Sequence, residues 1–125
     1  MITDIELLTW LMTGELEVGL NNPETINFKG RSIKAYENGS HRGNPNRTRW
    51  SFGLRDNGRR RTIVRSKLVW MAGALRLVPE GFEIHHRDEN RHNDAWNNLV
   101  MVTEDDHKKL DGRLTEESTA EFLGG

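Results

Sequence analysis

The chain has 125 residues, a formal net charge of −1 and no cysteine. This length supports one domain with a modest core, and the lack of cysteine excludes a disulfide framework and a thiolate zinc cluster. Any metal must therefore be held by imidazole, carboxylate or amide groups. The first residues do not resemble a signal peptide and no apolar run could span a bilayer, so we expect an intracellular protein without a membrane partner.

The charges are divided unevenly along the chain. Residues 31–67 carry eleven Lys or Arg against two acids, whereas residues 1–30 and 104–125 each sum to −4. Thirteen of the 18 cationic side chains are Arg, whose planar fork binds phosphate with two hydrogen bonds. This basic segment is either a solvated face or a surface that directs a polyanion to the site. Its position before the segment that contains His85 and His86 favours the second interpretation.

The N-terminal part of the chain is predicted to form a helix, a short strand and a loop. A capping box that starts at Thr3 opens a helix over residues 4–13, which ends at Gly14. The helical spacing of its apolar residues predicts a face for the core or a partner, made of Ile5, Leu8, Leu11 and Met12. A strand is predicted over residues 26–29, and the polar segment 36–48 is predicted to be an exposed loop.

A β-hairpin and a second helix are predicted next. Residues 49–55 alternate between apolar and polar, and residues 61–65 follow after Asn57-Gly58, the pair favoured in a type I′ turn. We expect an outer face rich in arginine. Ser66 is predicted to cap a helix over residues 67–77. The buried stripe of this helix is predicted to contain Leu68, Met71, Ala72 and Leu75.

The next segment is predicted to run strand, loop, strand and helix. Residues 82–86 and 99–102 read as strands that pair across the polar loop 88–97. Thr103 caps a predicted helix over residues 104–110, whose first turn is acidic as the helix dipole prefers.

Four of the five histidines lie in this segment. His85 and His86 end its first strand, His92 lies in the loop and His107 lies on the helix. Because adjacent strand residues point to opposite sides, one of His85 and His86 can hold a metal while the other acts on a phosphate as a base. Phosphodiester hydrolysis needs both roles: a cation that neutralises the phosphate and a neutral imidazole that takes a proton from water.

These residues resemble the HNH endonuclease family, of the kind found as small phage and mobile-element nucleases. The resemblance covers about residues 60–110. It rests on residues that match the family's pattern in type and order: His85-His86, Asp88, Asn90, Asn93-Asp94, Asn98-Leu99 and His107. It implies an α+β fold in which a ββα-metal motif follows an Arg-rich hairpin and a helix.

The resemblance also implies a role for the matching residues. His86 is the general base, and Asn98 is the middle asparagine that braces the loop and helps orient the base; Asn97 is the alternative, but the buried strand residue Leu99 favours Asn98. His85 and His107 are the ligands of one divalent cation, Mg²⁺ or Mn²⁺ in the first place and Zn²⁺ or Ni²⁺ otherwise. The implied function is a metal-dependent endonuclease that nicks or cleaves DNA.

DNA is the expected partner, and arginines are expected to bind its phosphates rather than its bases. The predicted DNA-binding residues are Arg49, Arg55, Arg59, Arg60, Arg61, Arg65, Arg87 and Arg91. We interpret Asn90, Asn93 and Asp94 as side-chain caps that stabilise the loop, and His92 as a phosphate or solvent contact rather than a ligand.

We divide the chain into three regions. Residues 1–58 form an N-terminal helix with a basic strand and loop region in the same domain, residues 59–112 form the HNH nuclease core, and residues 113–125 form a short C-terminal helix or tail. The apolar face of the first helix is a weak indication of a homodimer. Two alternatives stay open: a catalytically silent DNA-binding module of the same fold, and a structural metal-binding protein that would unfold on chelation.

Overall fold

The computed structural model describes residues 1–38 and 48–105. In chain order the elements are α1 (Asp4–Thr13), β1 (Leu16–Val18), β2 (Thr25–Phe28), β3 (Arg31–Lys34), β4 (Tyr36–Asn38), β5 (Arg49–Asp56), β6 (Arg59–Val64), α2 (Arg65–Ala74), β7 (Phe82–His86), a 3₁₀ turn (Trp96–Asn98) and β8 (Leu99–Thr103). The fold is therefore α+β, as the sequence predicts. Most of the predicted helix 104–110 and the whole predicted helix 115–122 lie outside the described residues, and no helix within those residues is long and apolar enough to cross a membrane.

Helix α1 begins and ends where the sequence predicts. The hydroxyl of Thr3 accepts a hydrogen bond from the backbone N–H of Glu6 at 3.2 Å, which satisfies one of the N–H groups left free at a helix start. Gly14 follows the last turn with a φ of 82°, the left-handed conformation that glycine adopts without steric cost. The capping pattern alone is sufficient to predict both ends.

The buried face of α1 differs from the predicted one. Leu7 is fully buried and Trp10 is 8% exposed, whereas Ile5 and Met12 are 66% and 67% exposed. The predicted stripe is therefore wrong for Ile5 and Met12, whereas Leu8 and Leu11 are partly buried and pack against the core. Periodicity could not choose the face because apolar residues occupy both sides, and the choice is made by packing: the rings of Trp10 and Phe28 lie 4.8 Å apart between centroids.

Two three-stranded antiparallel sheets precede α2. The first has the strand order β1-β2-β3 and the second, the central sheet, has the order β4-β5-β6. Strand β4 corrects the prediction that residues 36–48 are all loop, because Tyr36 to Asn38 pair with Ser51 to Arg49 of β5. This pairing satisfies backbone groups of β5 that would otherwise form an open sheet edge, which polarity of side chains does not reveal.

Strands β5 and β6 form the predicted hairpin. Asn57 and Gly58 have φ values of 49° and 79°, the positive values that a type I′ turn requires at both central positions. The register places Arg55 directly opposite Arg60. Successive side chains alternate between faces, so Phe52 points into the core while Arg55 and Arg60 lie on the opposite, outer face.

Helix α2 departs from its prediction at both ends. It begins at Arg65 after Val64 without a side-chain cap, so Ser66 lies inside the first turn and the predicted cap is wrong. It ends at Ala74 because Leu75 adopts a φ of 53° and donates its N–H to the carbonyl of Met71 at 2.8 Å. Leu75, predicted to be buried, is 54% exposed.

The predicted stripe of α2 is too narrow because this helix is surrounded. It contacts α1, strands β1 and β5 to β8, and the 3₁₀ turn, so Val69 and Trp70 are buried in addition to Leu68 and Met71. A helix buried on most sides has no single apolar stripe. The core around it includes residues from both halves of the chain, such as Phe28.

Strands β7 and β8 form the predicted pair that carries the candidate site. Their antiparallel register places His86 opposite Leu99 and His85 opposite Val100. Leu99 and Val100 are fully buried, which fixes the end of β7 against the core. The two histidines therefore lie on a rigid element rather than on a loop, as a precisely positioned site requires.

Candidate active site

The loop between β7 and β8 is closed tightly at the two histidines. His85 and His86 are 7% and 6% exposed at the end of β7. The backbone N–H of Arg87 donates to the carbonyl of Asn98 at 2.8 Å, which continues the strand pairing by one bond, and the N–H of Glu89 donates to the carbonyl of His86 at 3.0 Å. The chain thus reverses directly after the second histidine.

Asn98 braces this loop from the opposite strand. Its Nδ2 donates to Oδ1 of Asp88 at 2.9 Å and to the carbonyl of Asn93 at 2.8 Å, and its Oδ1 accepts from the N–H of Asp88 at 3.2 Å. Asn98 is 8% exposed, whereas Asn97 is exposed and its carbonyl lies near Arg87. Of the two adjacent asparagines, Asn98 is therefore the one in the position expected of the bracing residue.

Asp88 is the acceptor at the centre of the loop. Its oxygens accept from Nδ2 of Asn93 and from the N–H of Asn90, each at 2.8 Å, in addition to Asn98. Partial burial alone would raise the pKa of Asp88, but the hydrogen bonds from Asn93, Asn98 and Asn90 outweigh burial and lower the pKa below its ordinary value. Asp88 is thus ionised at neutral pH and holds the loop as an acceptor. The interpretation of Asn90 and Asn93 as loop caps agrees with these bonds.

His86 is held by a buried carboxylate. Its Nε2 lies 2.6 Å from Oδ1 of Asp94, and Oδ2 of Asp94 accepts from Nε of Arg65 at 2.8 Å. Asp94 is 3% exposed and Arg65 is 7% exposed. A carboxylate that accepts from a guanidinium acts as an acceptor, so the contact favours Nε2 of His86 as the donor and leaves Nδ1 as the ring nitrogen directed away from Asp94.

Arg65 is fixed by two further contacts. Its Nη2 donates to the carbonyl of His92 at 3.0 Å, and its guanidinium lies 5.2 Å from the ring centre of Trp50. The ring of His92 in turn meets Trp50 edge-on and has Nε2 within 3.0 Å of the hydroxyl of Thr48. The structure thus places Arg65 inside the molecule beneath the site, and not on a surface where it could meet a DNA phosphate.

The other predicted DNA-binding arginines fall into two groups. Arg59 and Arg61 lie on the inner face of the hairpin, where Arg59 pairs with Glu6 and Asp56, and Arg61 pairs with Asp4 and donates to a carbonyl of the N-terminal segment. These two are occupied by ion pairs within the chain. Of the other five, Arg55, Arg60 and Arg91 are exposed, and Arg49 and Arg87 are partly buried.

Arg49 lies close to the site. Burial and the neighbouring charge of Arg91 lower the pKa of Arg49, while Asp94 and Glu83 oppose that shift. These charged side chains are therefore electrostatic neighbours of Arg49. The start of strand β5 contacts the loop that contains Asp94, because Thr48 and Trp50 both contact His92.

Only one of the two predicted metal ligands, His85, lies within the described residues. His85 is next to His86 on β7 and, by strand geometry, its side chain leaves the opposite side. His107 lies outside the described residues. Within residues 1–38 and 48–105 no group of three or more His, Asp or Glu side chains is placed to hold a metal ion. His85 offers an imidazole donor, which fits a cation that takes most of its remaining ligands from substrate phosphate and water.

Residues 68–109 match a family model described as HNH endonuclease. The resemblance of the sequence to that family is thereby confirmed. The matched residues contain β7, the loop braced by Asn98 and β8, and they extend past the described residues to include His107. No curated protein matches the sequence.

A solved structure supports the HNH fold independently. It is described as "DNA binding and cleavage by the HNH homing endonuclease I-HmuI", and it matches with a TM-score of 0.56 at 22% sequence identity. The match covers 86% of this chain and 59% of that chain. It therefore includes most of the N-terminal half, which the family model does not cover, and the chain corresponds to about three fifths of the neighbour's length.

Sequence reasoning missed the two residues that hold His86. It interprets Asp94 as a loop cap and Arg65 as a phosphate contact. A signal is present, because Asp94 is an acid directly before the apolar pair Ala95-Trp96 and eight residues after His86, in a loop that must fold back on its own strand. An arginine at the start of a predicted buried helix gives no comparable indication of its partner.

Proposed function

We propose that this protein is a metal-dependent DNA endonuclease that uses His86 as general base. The HNH family match and the DNA-cleaving structural neighbour support a nuclease or DNA-binding role. The observation that carries the catalytic part is the position of His86: it is fixed at the end of a strand, with Nε2 bonded to a buried carboxylate at 2.6 Å. This contact prepares the other ring nitrogen for proton transfer.

In the proposed reaction Nδ1 of His86 takes a proton from a water molecule as that water attacks the scissile phosphorus. Asp94 keeps the hydrogen on Nε2 and stabilises the imidazolium that forms, because its negative charge lies against the protonated ring. Asn98 keeps the loop closed, so that His86 does not move with the loop. As the water oxygen bonds to phosphorus, the bond from phosphorus to the departing 3′ oxygen breaks, and that oxygen takes a proton from solvent water.

HNH nucleases generally use a divalent metal, and the described residues are compatible with one. His85 and, in this proposal, His107 would hold it, with Mg²⁺ or Mn²⁺ as the first candidates and Zn²⁺ or Ni²⁺ as alternatives. A bound cation supplies charge neutralisation at the phosphate and the leaving oxygen. His85 and His86 can serve separate roles because adjacent strand residues project to opposite sides.

The test is relaxation of supercoiled plasmid by the purified protein with Mg²⁺ or Mn²⁺, beside a chelator. We expect nicking that is lost on chelation and in His86→Ala. The control is Glu80→Ala, which removes an exposed side chain in the turn before β7, outside the proposed site. Cleavage that survives in His86→Ala would contradict the assignment of the base; DNA binding without any cleavage would favour the silent DNA-binding module.

The intracellular location, the phage origin and the homodimer stay predictions. Neither comparison supports a homodimer. One proposed base per chain makes a nick in one strand the natural single event, and cutting both strands would need a second visit or a second chain.

A further inference from the structure

A basic cleft lies beside the hairpin, away from His86. It has a volume of about 610 Å³ and lies between strand β3 and the outer face of β5 and β6. Its rim carries the guanidiniums of Arg31, Arg55 and Arg60, all exposed, and its walls include the hydroxyls of Ser32 and Thr62. Cations with neighbouring hydroxyl donors are the groups that bind phosphate oxygens.

The three exposed arginines of the cleft have no ion-pair partner among residues 1–38 and 48–105. Arg55 and Arg60 are direct cross-strand partners, and like charges in that arrangement lower the stability of a sheet. Among the ion pairs of the described residues none involves Arg31, Arg55 or Arg60, whereas Arg59 on the inner face is paired with two acids. Arg61 also lines the cleft but is paired with Asp4, so the unpaired positive charge of the cleft comes from Arg31, Arg55 and Arg60.

The same face of β5 connects this cleft to the active site. Arg49 and Arg55 are six residues apart and lie on the same face of the strand, although Ser51 between them is buried and Arg49 is partly buried. The residues on either side of Arg49, Thr48 and Trp50, both contact His92 in the loop of the site. Six residues of strand span about 20 Å, which corresponds to about six base pairs at about 3.4 Å each.

We propose that the cleft formed by Arg31, Arg55 and Arg60 binds the phosphodiester backbone of duplex DNA about six base pairs to one side of the cleaved bond. Arg49 then contacts the backbone at the end of this span nearer the cleaved bond. This inference rests on the proposed function, because it takes DNA as the substrate. Since phosphate contacts carry no sequence information, the cleft sets the position and affinity of the duplex rather than its sequence.

The first test measures binding without cleavage. A fluorescent duplex is titrated with protein in the presence of chelator, over a series of salt concentrations. The proteins compared are the wild type, the double variant Arg55→Ala/Arg60→Ala and the control Arg76→Ala. The control removes an exposed arginine outside the cleft. Each phosphate contact contributes about 0.9 to the slope of log affinity against log salt, so the double variant should lower that slope by about 1.8. Arg76→Ala should leave the slope unchanged.

The second test locates the contact. Hydroxyl-radical footprinting of the wild type should extend about six base pairs further on one side of the nicked position than on the other, and this extension should disappear in the double variant. An unchanged slope or an unchanged footprint in the double variant would overturn the cleft proposal. Plasmid nicking by the double variant is measured separately, so a failure of the nuclease assignment and a failure of the cleft are distinguishable. Thermal melting controls for folding, and we expect no loss because the two arginines repel each other.

Discussion

Nε2 of His86 lies 2.6 Å from Oδ1 of Asp94, and this carboxylate is held from behind by Arg65. All three side chains are less than a tenth exposed. A buried charge without its partner is costly, so the pair of Asp94 and Arg65 is both a structural element and the support of the proposed base. The two roles can be separated by substitutions that keep shape and change charge.

Asp94→Asn is expected to lower kcat by about 100-fold or more while leaving KM for DNA nearly unchanged. An amide can donate as well as accept, so it does not fix the hydrogen on Nε2 of His86, and general-base catalysis typically contributes about 10²- to 10⁴-fold. The measurement is single-turnover nicking at saturating DNA. Nitrogen NMR of His86 supplies a second readout. It reports directly which ring nitrogen carries the hydrogen, so it distinguishes loss of the Nε2–H form from loss of the folded state. An undiminished kcat in the Asp94→Asn variant would remove Asp94 from the mechanism.

Arg65→Lys and Arg65→Ala should differ in stability. The alanine variant leaves Asp94 buried without a cationic partner, which typically costs about 3 to 5 kcal/mol. The lysine variant retains the charge but loses the planar contact with Trp50 and the bond to the carbonyl of His92, for which we expect a loss of about 1 to 2 kcal/mol. Denaturant unfolding measures both. The salt dependence of DNA binding should be unchanged in Arg65→Lys, and a reduced slope would restore Arg65 to the DNA interface.

The parts of the fold that the sequence predicts well are those specified locally. The ends of α1 follow from Thr3 and Gly14, and the hairpin follows from Asn57-Gly58, because caps and tight turns are decided by a few adjacent residues. The motif around His86 is recognisable for a similar reason, since its residues are close in sequence. These signals do not depend on what packs against them.

The parts that sequence reasoning misses depend on partners distant in sequence. Arg65 and Asp94 are 29 residues apart, and neither residue type indicates its partner. The error at Ile5 and Met12 of α1 has the same origin, because the buried Trp10 packs against Phe28 and Lys29, which belong to other parts of the chain. Likewise, inner-face Arg59 cannot be separated from outer-face Arg60 until the register of β5 and β6 is known.

Gly73→Ala is expected to destabilise the fold although alanine favours helices. A Cβ at position 73 would lie 2.3 to 2.6 Å from ring atoms of Trp96, and an indole ring cannot yield as a flexible side chain can. The gain in helix propensity is about 1 kcal/mol, whereas overpacking typically costs about 1 to 3 kcal/mol. The control is Gly53→Ala, whose Cβ would meet only an ordinary contact at 4.0 Å. A higher urea midpoint for Gly73→Ala would mean that Trp96 can move aside.

We expect Asp4 to make the stability of the fold depend on pH in acid, because it links α1 to Lys67 and Arg61. Its partial burial raises the pKa, but ion pairs with Lys67 and Arg61 outweigh burial and lower the pKa below the ordinary value of 3.8. A carboxyl with a lowered folded pKa contributes stability above its unfolded pKa and loses that contribution as pH falls through the folded pKa. Asp4→Asn should therefore be less stable than wild type at pH 7, and the difference should vanish in strong acid. Denaturant unfolding at pH 7 and near pH 2 measures this, and a difference that is equal at both would contradict the ion-pair explanation.

Removal of metal should stop cleavage without unfolding the protein. The core is built from packed side chains such as Phe28, Phe52 and Leu68, all fully buried, and no described cluster of metal-ligating side chains links its elements. We expect circular dichroism and the melting temperature in chelator to remain close to those with Mg²⁺, while plasmid nicking is lost and returns when Mg²⁺ or Mn²⁺ is added. His85→Ala should raise the metal concentration needed for half-maximal nicking and leave the melting temperature in chelator unchanged. Unfolding on chelation would instead identify a structural metal-binding protein, because a metal that holds the fold contributes its binding free energy to stability.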